Sequence, residues 1–271
     1  MSLSLASFDF VLLDLDGTIY HEITALPGAV DLINALNAAG KPYACVSNST
    51  ISPRRISQRV AEMGASLDPS LIYTASVATC DVVIERFARG RPANYLNLAT
   101  DAIDELFSDF HKGQGRAIHT QDEPCDAVIV GAPQSEQWTF PRQTIALRQI
   151  KKGATLLGIC ADRMYPSSRG LELGAGASTA MLAYAANVTP IFCGKPERIF
   201  FDELLARLGA RATQCVMIGD NLEADISGAN AMGMTSVLTL TGIVGREEAM
   251  SARPESRPHH IINDLTELTL D

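Results

Sequence analysis

Two carboxylates, Asp14 and Asp16, stand two positions apart, after the apolar run Phe8 to Leu13 and directly ahead of Gly17-Thr18. A short run of bulky apolar residues reads as a buried strand. Residues i and i+2 of a strand point to the same face. The pattern therefore brings two acids to the carboxyl end of a parallel strand, where open α/β sheets put their active sites. Like charges placed together repel, and a divalent cation or proton-transfer chemistry gives such a pair its use. The same letters also suit a plain strand-to-loop exit, because Asp and Gly are common turn residues.

Three further segments carry chemistry-bearing side chains. Ser47-Asn48-Ser49-Thr50 follows the apolar stretch Tyr43 to Val46 and precedes Ser52-Pro53. Ser at the cap and Pro at the first position read as a helix start. Small hydroxyls ahead of a helix N-terminus suit a phosphate oxygen, and they suit plain capping as well. Lys195 comes after Ile191-Phe192-Cys193 and just before Pro196, again entering a helix. Asp220 and Asp225 flank the end of the strand Cys215 to Ile218 and the first turn of the next helix, with Asn221 between them. An acid in a helix's first turn is commonly a partner of the helix dipole.

The elements that position these residues alternate strand and helix, which argues for a parallel sheet covered by helices. Helices are expected over 27–39, 52–63, 74–87, 101–110, 141–151 and 197–208, the first, second and last closed by Gly40, Gly64 and Gly209. Strands are expected at 94–98, 127–130 and 156–160. The first two motifs are 33 residues apart (14 to 47), but Ser47 and Lys195 are 148 apart (47 to 195). That gap exceeds any βα unit of one sheet, so an inserted domain is expected at 78–185, with the rest of the sheet in 1–77 and 186–271.

Bulk properties narrow the function. The 271 residues are 46% hydrophobic and 20% charged, as in a soluble globular protein. A net charge of −9 without any basic run disfavours nucleic-acid polymers. It leaves room for an anionic metabolite, because a metal and one lysine can reverse the local field. No apolar stretch reaches membrane-spanning length, and MSLSLASF lacks the basic start and apolar core of a signal peptide. Six scattered cysteines without any CxxC spacing read as reduced, which suits the cytoplasm. The five histidines form no metal-ligand pattern.

Taken together, Asp14-Leu15-Asp16-Gly17, Ser47-Asn48, Lys195-Pro196 and Gly219-Asp220 with Asp225 resemble the four motifs of the haloacid dehalogenase superfamily. Pro27-Gly28-Ala29 and Tyr73-Thr74-Ala75 are similar to segments of its class IIA branch, the NagD-like and 4-nitrophenylphosphatase-like phosphatases. The resemblance implies a Rossmann-like doubly wound parallel-sheet core with an inserted α/β cap domain. It implies an Mg²⁺-dependent phosphatase acting on a small phosphorylated metabolite such as a nucleotide, sugar phosphate or phosphoglycolate. Asp14 would be the nucleophile that forms an aspartyl-phosphate, and Asp16 the general acid and base. Mg²⁺ would be held by Asp14, the Asp16 carbonyl and Asp220. Ser47, Asn48 and Lys195 would bind the phosphoryl group, and Asp225 and Asn221 would support them. The cap, through Asp162, would choose the substrate, although Asp162 suits a solvent-facing turn equally well. A homodimer formed through the cap is compatible with the same picture.

The chain departs from the family pattern at Ala224, where Thr is usual, at SNST in place of TNNS, and at Cys160-Ala161-Asp162 in place of Asn-x-Asp. Two other readings use the same motifs: a phosphotransferase or mutase on the same intermediate, and a phospho-ligand sensor without turnover.

Overall fold

Val11, Leu12 and Leu13 are completely buried, as expected of a strand with neighbours on both sides and helices on both faces. The computed structural model of the chain describes residues 3–133, 136–167 and 169–271. It divides into two compact units, one formed by Met1–Ser47, Pro53–Tyr73 and Lys195–Asp271, the other by Asn48–Ser52 and Thr74–Gly194.

The first unit is built on a six-stranded sheet that runs parallel from His260–Ile262 through Tyr43–Ser47. Its strands run in the spatial order His260–Ile262, Thr235–Thr239, Cys215–Gly219, Phe10–Asp14, Tyr43–Ser47, Ile72–Thr74. Phe10–Asp14 lies in the middle, in register with Cys215–Ile218 on one side and Tyr43–Val46 on the other. The chain leaves this strand toward one edge and returns on its far side, so the strand order reverses here. Such a switch point opens a crevice at the carboxyl ends of the strands, and Asp14, Ser47 and Gly219 are the last residues of the three central strands. Helices Ala29–Ala39, Pro53–Glu62 and Arg198–Leu208 connect and cover the sheet. The first and third of these end on Gly40 and Gly209 in the left-handed conformation, as the glycine stops in the sequence predict.

The second unit carries its own five-stranded parallel sheet, in the order Ile191–Phe192, Thr155–Gly158, Ala127–Val130, Ala93–Leu98, Gly115–Ala117. Helices Ala75–Phe87, Asp101–Asp109, Phe140–Lys151 and Ala175–Ala186 accompany it. Leu96, Leu98, Val128, Val130, Leu156 and Leu182 meet in its core. An antiparallel hairpin pairs Met164–Ser167 with Gly170–Leu173. Two α/β units with parallel sheets match the expected fold class.

Local expectations fail in three places. The strand expected to run to Cys160 ends at Gly158, so Asp162 stands on an irregular loop four residues later. Ser52 does precede the helix, but its hydroxyl is buried and has no hydrogen-bond partner among the described residues. The segment after Asp220 is not an ordinary first α-turn but a π-helical turn over Leu222–Ser227. Such a wider turn changes which side chains face inward, and here Asp225 is among the buried ones.

Candidate active site

The Phe10–Asp14 strand stops because its backbone turns on itself. The Leu15 carbonyl accepts from the amides of Thr18, Ile19 and Tyr20 at 3.3, 2.8 and 3.1 Å. Asp16 thus leaves the strand, and the expected shared face with Asp14 is not formed. Asp14 points into the protein and is 6% exposed, whereas the Asp16 side chain is 74% exposed, 3.9 Å from His21 Nδ1. Gly17 makes the turn at φ +86°, and a Cβ there would run into the Asp220 carboxylate. The Thr241 hydroxyl donates to the Gly17 carbonyl at 2.6 Å and holds the loop.

Lys195 crosses the end of the sheet to reach this strand. Its ammonium is 3% exposed and lies 2.5 Å from Asp14 Oδ1 and 2.7 Å from Asp225 Oδ1. The Lys195–Pro196 bond is cis. Burial alone would lower the lysine's pKa, but the two carboxylates outweigh it and hold the ammonium above its ordinary range. Asp225 is 1% exposed and accepts from the Asn221 amide at 3.1 Å. Reading it as a dipole partner at a helix start therefore fails. The Asn221 side chain caps the π-turn, accepting from the amides of Glu223 and Ala224 at 2.9 Å each.

Asp220 completes the group. Carboxylate oxygens of Asp14, Asp220 and Asp225 lie within 4.8 Å of one another. Gly17 and Gly242 both lie where a Cβ would strike the Asp220 side chain, so the site needs glycine at each. Desolvation, Asp225 and Asp16 together push the Asp220 carboxyl up to about 7, against the pull of Lys195. Burial, with Asp225 and Asp220, also raises Asp14 well above the carboxylate range, although Lys195 opposes this. Asp16 is raised more by desolvation than His21 and Arg59 lower it. Its exposed side chain keeps it accessible to a ligand.

Three carboxylates against one ammonium leave negative charge uncompensated in a buried place, which costs several kcal/mol per ion unless a partner is present. Hard oxygen donors at this separation fit a small divalent cation. Asp14 and Asp220, both expected as ligands, belong to the cluster. Asp225 joins it too, yet it is already engaged by Lys195.

Of the remaining expected residues, Ser47 is buried at the end of its strand. Asn48 and Asp162, far apart in sequence, meet: the Asn48 amide donates to Asp162 Oδ2 at 3.4 Å. Sequence reasoning missed Thr18, whose hydroxyl lies 3.5 Å from Asp14 Oδ2. It also missed Thr241 and Gly242. The only available signal for these two was the short Thr239-Leu240-Thr241-Gly242 run, which follows the Thr235–Thr239 strand of the structure.

Comparison with known proteins agrees with this architecture. Residues 11–110 match the family model for haloacid dehalogenase-like hydrolases, and 192–268 match a second, HAD-hydrolase-like model. An acid sugar phosphatase of Staphylococcus aureus is 30% identical over 257 residues, covering 94% of this chain and 95% of that protein. The structure of a glycerol phosphate phosphatase from Mycobacterium tuberculosis in complex with magnesium superposes with a TM-score of 0.85 at 28% identity, over 98% of this chain and 78% of the other. A p-nitrophenyl phosphatase from Archaeoglobus fulgidus gives a TM-score of 0.83 at 26% identity, over 96% of this chain and 98% of that one. The chain belongs to the haloacid dehalogenase-like hydrolases, in the NagD-like class IIA branch of phosphatases. It is accordingly an enzyme of the phosphoric monoester hydrolase class. Among the described residues no helix is long and apolar enough to cross a membrane.

Proposed function

We propose that the protein is an Mg²⁺-dependent phosphatase that hydrolyses a small phosphomonoester through an aspartyl-phosphate on Asp14. The observation that carries this reading is the buried Asp14 carboxylate held by Lys195 beside Asp220 and Asp225. The names of its relatives favour sugar phosphates, glycerol phosphate and nitrophenyl phosphate as the substrates to try first.

A carboxylate attacking a phosphate dianion must overcome repulsion of roughly 4 kcal/mol per unit-charge contact at 4 Å and an effective dielectric of 20. Lys195 places countercharge beside the attacking oxygen in advance, and its bond to Asp225 fixes where that charge sits. Asp14 and Asp220, with the Asp16 carbonyl, are the groups that would hold Mg²⁺. The ion would neutralise phosphoryl charge and orient the transferring group. Asp14 attacks phosphorus while the bond to the leaving oxygen breaks. Asp16, exposed and with a raised pKa, gives its proton to that oxygen. It then takes one from the water that cleaves the acyl phosphate. Ser47 binds an equatorial phosphoryl oxygen.

The second unit serves as the cap that selects the non-phosphate part of the substrate. All six cysteines are free thiols, which supports a reducing compartment such as the cytoplasm. The test is phosphate release from a panel of phosphomonoesters with Mg²⁺ and with excess chelator. Release that needs the cation supports the reading. Transfer to an acceptor without release points to a phosphotransferase, and binding without either to a sensor.

A further inference from the structure

The Asn48 side chain is held at its amide nitrogen by a group the proposed chemistry does not use, and it packs against a glycine at its oxygen. Its amide nitrogen donates to Asp162 Oδ2 at 3.4 Å, across 114 positions of sequence. Its amide oxygen lies over Gly194: a Cβ there would stand 2.7 Å from Asn48 Oδ1, and 2.9 Å from both Cys160 Cβ and the Ile159 carbonyl. Those distances are shorter than real contacts allow, so Gly194 is what lets Asn48 stay where it is.

Asp162 is itself fixed by its backbone. Its carbonyl accepts from the Gly176 amide at 2.9 Å, and the neighbouring Arg163 carbonyl from the Gly174 amide at 2.9 Å. A Cβ on Gly174 would run into the Asp162 carbonyl, and one on Gly176 into that of Ala161. The loop is laid directly on the first turn of the Ala175–Ala186 helix, and two glycines make that approach sterically possible. The backbone that carries Asp162 is thereby held in place by its own unit, and a fixed backbone is the first thing a supporting group needs.

The neighbours of these residues in sequence give the arrangement its consequence. Asn48 directly follows Ser47, and Gly194 directly precedes Lys195. We infer that Asp162, with Gly194, is a positioning residue: it orients Asn48 and so steadies the chain at Ser47 and Lys195, the two phosphate-handling positions. This assigns Asp162 a duty different from the substrate contact expected from sequence. The inference rests on the phosphatase reading above for its kinetic consequence.

The test compares kcat and KM on 4-nitrophenyl phosphate and on a sugar phosphate for Asp162→Ala, Asp162→Asn, Asn48→Ala and the double alanine variant. Asp162 and Asn48 form an exposed pair, so these chains should fold. Asp162→Ala should lower kcat about tenfold on both substrates in equal proportion, the scale of one hydrogen bond to a charged group. Asp162→Asn keeps an acceptor oxygen and should recover the rate. The double variant should be no slower than Asn48→Ala alone, as coupled residues require. A loss confined to one substrate, a loss that Asn does not recover, additive losses, or no loss overturns the assignment. Amide hydrogen exchange at residues 47–49 gives a readout independent of turnover. Exchange should quicken in Asp162→Ala and return toward wild type in Asp162→Asn, and unchanged protection overturns the inference. A wild-type chain that releases no phosphate would sink the phosphatase reading instead, and the exchange experiment would still decide this one.

Discussion

The Lys195 ammonium lies 2.5 Å from the Asp14 carboxylate, although 181 positions of sequence separate them. That contact joins the first and third motifs in one buried ion pair, and Asp225 at 2.7 Å holds the lysine from its other side. Removing one partner of such a pair leaves a buried charge without compensation. Lys195→Met should therefore destabilise the fold by about 3–5 kcal/mol, read as a lower denaturant midpoint with an unchanged slope. A midpoint equal to wild type would show that the pair does not hold this end of the sheet.

Asp14→Asn should behave in the opposite sense. Burial and two acidic neighbours raise the Asp14 carboxyl, so its charged form is disfavoured in the folded chain. The amide has nearly the same volume and no charge, and Lys195 keeps Asp225. Without divalent cations the variant should melt at or above the wild-type temperature near neutral pH. A clear drop in Tm would mean that the Lys195 contact outweighs the desolvation of Asp14.

Asp220 makes stability depend on pH. Its folded pKa of about 7 lies above the ordinary carboxyl value of 3.8, so the folded chain holds this proton more tightly than the unfolded one. The resulting stabilisation is fully present below about pH 4. It is lost as the pH rises toward 7. In chelator, the Tm of Asp220→Asn minus that of wild type should thus increase between pH 5 and pH 8. Mg²⁺ should shrink the difference by stabilising the wild-type site. A difference that stays flat with pH would remove the raised carboxyl.

Much of this site could be read from the sequence, because each motif is a short run of chemically distinctive residues at a strand end. Asp14, Ser47, Lys195 and Asp220 all fall where the alternation of strands and helices places them. What escaped depends on local backbone detail or long-range approach. The i, i+2 rule failed for Asp16 because the strand ends at Asp14 and the Leu15 carbonyl gathers three amides. Asp225 turned inward because Leu222–Ser227 winds as a π-turn, which no residue pattern announced. Thr241 reaches Gly17 across 224 positions, a contact set by the sheet order rather than by any local signal.

Gly242 offers a test of that hidden part. A Cβ at this position would collide with the Asp220 carboxylate, so Gly242→Ala must push Asp220 aside. Displacing a catalytic group by about 1 Å can cost on the order of 10²-fold in rate. The variant should lose roughly that much activity and require more Mg²⁺ for half-maximal rate, while Gly245→Ala, with open space around it and an ordinary negative φ, should not. Equal Mg²⁺ requirements for Gly242→Ala and wild type would detach Asp220 from the metal.

The most direct test of the account is the turnover of Asp14→Asn on 4-nitrophenyl phosphate at saturating Mg²⁺, in a preparation shown to be folded. The nucleophile assignment predicts a loss of about 10⁴-fold or more, the scale seen when a catalytic nucleophile is removed. A folded variant that keeps more than about one hundredth of the wild-type rate would contradict covalent catalysis by Asp14.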